Sequence, residues 1–127
     1  MDLILDTNAL SAIAEGEPGA AKQFARAGRV AIPVIVLGEY RFGIALSRHQ
    51  PEYERWLEDM VSVCDVLEVS EGTAIWYAEL RGQLKEAGTP IPSNDVWIAA
   101  LCRQHTLSIL SRDRHFDLVK GLRRLDW

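Results

Sequence analysis

Four carboxylates, Asp6, Glu39, Asp95 and Asp113, stand out among the 18 acidic residues of this 127-residue chain because of what surrounds them. Asp6 ends the apolar run Leu3, Ile4, Leu5, and Asp113 follows the apolar segment from Leu107 to Leu110. Glu39 has Ile35, Val36, Phe42, Gly43 and Leu46 at helical spacing, so it interrupts what reads as an apolar stripe. Asp95 shares a helical face with Ile98, Ala99 and Cys102, while Ser93 is placed to cap that helix. Any one of these acids alone reads as a helix cap. A carboxylate on an apolar face, however, carries a desolvation penalty on the order of several kcal/mol and needs a partner. Four carboxylates in one pocket would repel each other unless divalent cations supplied positive charge. An all-oxygen donor set suits Mg²⁺ or Mn²⁺ better than zinc, with one or two ions held. Phosphodiester hydrolysis is the natural chemistry of such a centre.

The elements that must position these acids follow from the apolar pattern. Short apolar runs predict strands at Leu3 to Leu5, Val30 to Pro33, Val63 to Val69 and Leu107 to Leu110, with an edge strand from Leu122 to Leu125. Between them, helices are predicted from Pro18 to a stop at Gly28, with Ala20, Ala21, Phe24 and Ala25 on one stripe, and from Val34 to Leu46. A further helix carries Tyr53, Trp56, Leu57, Met60 and Val61, forming a hairpin with the preceding helix around His49, Gln50 and Pro51. The last two predicted helices run from Glu71 to Ala87, closed by Gly88 and Pro90, and from Asp95 to His105. Strands alternating with helices predict an α/β fold with a mostly parallel central sheet and helices on both faces, in one domain spanning 1–127. Ligands of such sheets bind beyond the carboxyl ends of the strands, where these acids fall.

Composition narrows the field. With 48% hydrophobic and 25% charged residues the chain can build a core, and a net charge of −4 argues against holding nucleic acid by a broad cationic field. No apolar run approaches a membrane span, and Asp2 and Asp6 stand where a signal peptide would be basic or apolar, so a cytoplasmic protein is expected. Cys64 and Cys102, without a CxxC or a Cys/His cluster, read as two buried apolar thiols.

Four segments in order, LILDTNAL, VLGEYRFGI, PSNDVWIAAL and SILSRDRHFDLV, together resemble the PIN domain in its small toxin form, the VapC endoribonucleases of toxin–antitoxin pairs. The resemblance covers nearly the whole chain. It implies a three-layer α/β/α sandwich, a Mg²⁺ or Mn²⁺ cofactor, and cleavage of RNA in single-stranded or loop regions, with tRNA, rRNA or mRNA as substrates. The catalytic, metal-binding acids would be Asp6, Glu39, Asp95 and Asp113, with Asp117 a further candidate ligand. Thr7, Asn8 and Ser111 would form the polar shell and, with Arg112, contact substrate. It also implies a homodimer and a cognate VapB-type antitoxin whose C-terminal segment sets a basic side chain against the acidic pocket.

Other residues are assigned more ordinary roles. His49, His105 and His115 lie at no metal-ligand spacing with one another or with a cysteine and read as solvated or packed. Trp56, Trp76, Trp97 and Trp127 read as core or interface anchors. The locally basic run of Arg112, Arg114, Lys120, Arg123 and Arg124 reads as a solvated face or as a phosphate-contacting rim, which Arg81 and Lys85 would extend. The stripe from Tyr53 to Val61, with the helix before it, offers more apolar surface than one small sheet needs, and part is expected to be shared with another chain. The alternative reading is a receiver-like signalling module, phosphoryl-accepting or non-enzymatic. It is weakened because Thr7 and Asn8 follow Asp6 where paired acids are wanted and no lysine lies between Lys85 and Lys120.

Overall fold

The structure is a computed structural model describing residues 2–127. Strand β1 (Leu3–Leu5) is buried along its whole length, as a central parallel strand must be. Asp6 then caps helix α1 (Thr7–Ala14). Helix α2 (Pro18–Arg26) starts on a proline whose missing N–H would be unpaired there in any case, and leads to the fully buried β2 (Val30–Pro33). Helices α3 (Val34–Ile44) and α4 (Gln50–Val63) follow, then β3 (Asp65–Leu67). A reciprocal Ser70 and Thr73 capping box opens α5 (Glu71–Glu86), which packs on α6 (Ser93–His105). After β4 (Ser108–Leu110) come a 3-10 turn (Arg114–Leu118) and the short β5 (Arg124–Leu125).

The five strands lie in the order β3-β2-β1-β4-β5, and all pairs are parallel. This order differs from the 2-1-3-4-5 sheet of flavodoxin-like receivers, so the receiver alternative fails at the level of topology. The chain runs outward from β1 to β3 and then returns to β4 on the other side of β1, with Leu3 opposite Ser108 and Leu5 opposite Leu110. The switch in direction therefore lies between β1 and β4, and their carboxyl ends carry Asp6 and Ser111. Helices flank the sheet on both faces, as the alternation predicts.

Several boundaries differ from the expectation. Strand β3 is three residues long, because Val63 completes α4 and residues 68–70 lead into the cap of α5. The last strand is only Arg124–Leu125. Helix α6 begins at Ser93, with Pro92 at the cap position, so Ser93 does not cap it and Asp95 sits within its first turn. On α2 only Ala20 is buried, while Ala21 and Ala25 face solvent. Cys102 is buried as expected, but Cys64 is only half-buried.

The α4 stripe is mostly core. Leu57 and Met60 are buried, and Tyr53, Trp56 and Val61 pack against them. The apolar surface left in water lies instead at the end of α3 and just beyond it, where Phe42 is 82% and Leu46 98% exposed, together with Val63 and Ile75. Glu39 thus does not interrupt a core-facing stripe; it is exposed, on a helix whose apolar residues occupy more than one face. Among the described residues no helix is long and apolar enough to cross a membrane.

Candidate active site

Asp6 is the most constrained of the four acids. It leaves β1 with its amide donating to the Leu110 carbonyl, which ties the strand end to β4. One carboxylate oxygen accepts from the amide of Thr7, the first residue of α1, at 2.8 Å. The other accepts from the Ser111 hydroxyl at 2.6 Å and from the Asn8 amide nitrogen at 3.3 Å. Asn8 also donates to Ser111 Oγ at 3.2 Å, and its own oxygen accepts from the Arg112 amide. Ser111 is fully buried, so its hydroxyl fixes Asp6 and cannot reach a substrate directly.

The loop after β4 is folded by the same hydroxyl. The Asp113 amide donates to Ser111 Oγ at 2.9 Å, and Asp113 in turn caps the 3-10 turn by accepting from the His115 amide at 2.9 Å. The next residue, Phe116, is completely buried and anchors that turn in the core. Asp95 reaches the same place from α6, where the positive end of the helix dipole favours a carboxylate. Its Oδ2 lies 3.0 Å from His115 Nδ1, which is also 3.0 Å from Asp113 Oδ1.

Charge repulsion is visible in proton affinity. Burial, chiefly, pushes the Asp6 carboxyl above its ordinary value against the pull of Ser111 and Thr7, and Asp113 adds to the rise. Asp95 is raised for the same first reason, with Asp113 and Asp6 adding to it and His115 opposing it. Glu39, on the opposite wall, is raised by partial burial and then by the negative charges of Asp6 and Asp95. Asp95 and Asp113 thus meet at the switch point, with Asp6 and Glu39 near enough for their charges to act on the group. A cleft of about 330 Å³ between α1, α3 and α4 opens from Thr7 and Glu39 toward Glu15 and Tyr53. On its wall the buried Tyr40 hydroxyl has no hydrogen-bond partner, and burial pushes its pKa up to about 12.

Three expectations about the site are corrected. His115 is neither simply solvated nor packed, because Asp95, Asp113 and His115 each offer a donor atom within 4.8 Å of the others. Requiring a second histidine or cysteine hid it, whereas the spacing Asp113-x-His115 beside a capping aspartate was the available signal. Asp117 does not join the group, because its two oxygens accept from Arg124 at 2.8 and 3.0 Å. Arg112 turns its guanidinium away, toward Glu17, Asp126, the Trp127 carbonyl and the Trp127 ring. Arg112 and Arg124 of the basic run are thus committed to carboxylates and not free to line a phosphate-contacting rim.

The donor chemistry fits a divalent cation. Carboxylate oxygens converge from separate elements, and one more buried oxygen, Thr7 Oγ1, has no hydrogen-bond partner beside them. The arrangement can hold a hard or borderline ion at the mouth of a cleft.

The comparisons with known proteins agree with this geometry. The PIN domain family model matches residues 3–122. Ribonuclease VapC5 of Mycobacterium tuberculosis is 33% identical over 95 residues, which cover 73% of this chain and 70% of that relative. The tRNA(fMet)-specific endonuclease VapC of Shigella flexneri is 28% identical over 130 residues, covering 100% of this chain and 98% of its own. Among solved structures, DNA-bound VapBC from Salmonella typhimurium superimposes with a TM-score of 0.87 at 26% identity, over 100% of this chain and 98% of that one. The strand order, the acids gathered at its switch point and these matches together establish that the chain belongs to the PIN domain family, among its VapC-type members.

Proposed function

We propose that this protein is the toxin of a type II toxin–antitoxin pair, an endoribonuclease that hydrolyses RNA phosphodiester bonds at Asp6, Glu39, Asp95 and Asp113 with Mg²⁺ or Mn²⁺. The observation that supports the reading is the meeting of Asp95, Asp113 and His115 within 4.8 Å, with Asp6 and Glu39 close enough for their charges to act on the group and no lysine or arginine among the side-chain partners of these acids within the described residues. When bound, the divalent ion would lower the pKa of water and offset charge on the phosphate. Asp6, Asp95 and Asp113 would hold the ion, while Asn8 and Ser111 fix the Asp6 carboxylate in one orientation. Glu39 faces this group from α3, and its raised proton affinity suits its carboxylate to accept a proton from the attacking water. Asn8 stands exposed at the mouth for contact with RNA, whereas the hydroxyls of Thr7 and Ser111 are buried and Ser111 acts through Asp6.

The Shigella relative is named for cleavage of initiator tRNA, which makes tRNA the first substrate to assay. Neighbouring structures are complexes of toxin with antitoxin. The partner here is a VapB-type antitoxin docking on the exposed Phe42 and Leu46 at the end of α3 and presenting a basic side chain to the pocket, on a toxin that forms a homodimer.

The test is cleavage of purified tRNA and total RNA with Mg²⁺, Mn²⁺ or EDTA. Cleavage is expected with either metal and not in EDTA, and Asp6→Asn should abolish it while leaving the melting transition in place. Full activity in EDTA, or in Asp6→Asn, would falsify the metal-centred reading.

A further inference from the structure

The side chains that converge beyond β4 include one nitrogen. His115 Nδ1 is 3.0 Å from a carboxylate oxygen of Asp95 and 3.0 Å from one of Asp113. The three donor atoms lie within 4.8 Å of one another, a span compatible with a single octahedral ion whose ligands stand at about 2.0–2.2 Å. We propose that His115 is a ligand of the divalent ion through Nδ1 and that it moves the preference of the site from Mg²⁺ toward Mn²⁺. This rests on the metal-centred reading given under the proposed function.

Backbone geometry sets the position of the ring. Asp113 caps the turn by accepting the His115 amide, and Phe116, the next residue, is fully buried. The imidazole is thereby directed at the carboxylates, although its side chain is 46% exposed and no core packing holds it there. Asp6, by comparison, already accepts hydrogen bonds at both oxygens. A nitrogen from His115 therefore adds a donor where the oxygen set is partly committed.

The metal preference follows from donor type. Mg²⁺ takes oxygen ligands and keeps its waters, so an imidazole adds little to its binding. Mn²⁺ is also chiefly an oxygen-binding ion, but as a first-row transition ion it accepts an imidazole nitrogen more readily than Mg²⁺ does. A mixed carboxylate and imidazole set thus favours Mn²⁺ over Mg²⁺ relative to carboxylates alone.

Pulsed electron paramagnetic resonance of the Mn²⁺-loaded chain tests this, because a directly bonded nitrogen modulates the Mn²⁺ echo whether or not the enzyme turns over. The variants are His115→Ala and His115→Asn; the asparagine amide retains an N–H donor toward the two carboxylates but is a poor nitrogen ligand. His49→Asn, at the start of α4, is the control. Nitrogen modulation is expected in wild type and the control and absent from both His115 variants. Mn²⁺ affinity should fall about tenfold in those variants, with Mg²⁺ affinity changing by less than about twofold. Modulation that is absent from Mn²⁺-bound wild type or survives in His115→Asn overturns the proposal, as does an unchanged ratio of Mn²⁺ to Mg²⁺ affinity in that variant. A wild-type chain that binds neither ion overturns the metal-centred reading along with it.

Discussion

Two acidic clusters sit at the same end of this molecule and behave in opposite ways. In one, Asp117 and Asp126 bracket the Arg124 guanidinium, whose side chain is only 12% exposed, and Arg112 adds ion pairs to Asp126 and Glu17. Arg124 holds Asp117 below the usual carboxylate range. Asp126 is also lowered, first by the Trp127 amide and then by Arg124. In the other cluster, Asp6, Glu39 and Asp95 are pushed up, with burial the largest cause in each case. The density of acids does not separate the two; the presence of an arginine does. An ion-paired cluster is complete as folded, whereas the pocket has only one imidazole against four carboxylates and so calls for an external cation.

The sharpest way to break this comparison is to neutralise one acid in each cluster. Asp95→Asn should lower RNA cleavage by at least ~100-fold, since even residues that only orient metal ligands are worth 10–100-fold, and it should leave the thermal transition cooperative. Asp117→Asn should melt earlier yet cleave within about threefold of wild type per folded molecule. Equal losses of activity in parallel cleavage and melting assays would erase the distinction.

Removing the resident cation should affect stability next. Arg124 also donates to the Ser111 carbonyl, so Arg124→Ala should cost about 1–2 kcal/mol in denaturant unfolding. The pH dependence has a defined sign. Lowered carboxyls contribute stability that is present above their ordinary value and lost as pH falls through their folded value. The pocket acids act oppositely, because their penalty at neutral pH is relieved as pH falls through their raised folded values. Melts between pH 7 and 3 should therefore show wild type losing more stability in acid than Arg124→Ala does.

The smallest effect concerns the exposed wall of the pocket. Glu39→Gln should stabilise the metal-free chain by only ~0.3 kcal/mol, because solvent screens an exposed carboxylate. Added Mn²⁺ should reverse the sign, since the bound cation would then lack a neighbouring negative charge. Differential scanning calorimetry with and without Mn²⁺ resolves this, and a destabilisation in both conditions would make Glu39 a structural acceptor.

What could be read from residues alone followed the strength of the local pattern. The runs Leu3 to Leu5 and Val30 to Pro33 are short, apolar and bounded by polar residues or turns, and both are strands. Glu71 to Glu86 has a cap at Ser70 and a glycine stop at Gly88, and its ends agree with the sequence. The environment of Glu39 was misread because helical spacing identifies an apolar face without saying whether core, partner or water covers it. Phe42 and Leu46 share spacing with Ile35, yet they are exposed and Ile35 is packed. His115 and Asp117 depended on how the 3-10 turn folds. The Asp113 cap sends His115 toward Asp95 and leaves Asp117 facing Arg124, a consequence of side-chain hydrogen bonding that spacing does not encode.

The order of the strands also bears on how the protein is made. Asp6 is made before its partner, because the hydroxyl that fixes it belongs to Ser111, 105 positions later. Strand β4 is the inner neighbour of β1, so until residues 108–110 emerge β1 lacks one of its two ladder partners and the loop bearing Asp113 has nowhere to dock. Such distant pairing forms late and slowly. A chain that has paired β1 with β2 but not with β4 consequently lacks both the hydroxyl that fixes Asp6 and the dock for Asp113, so the acids come together only when the last inner strand pairs.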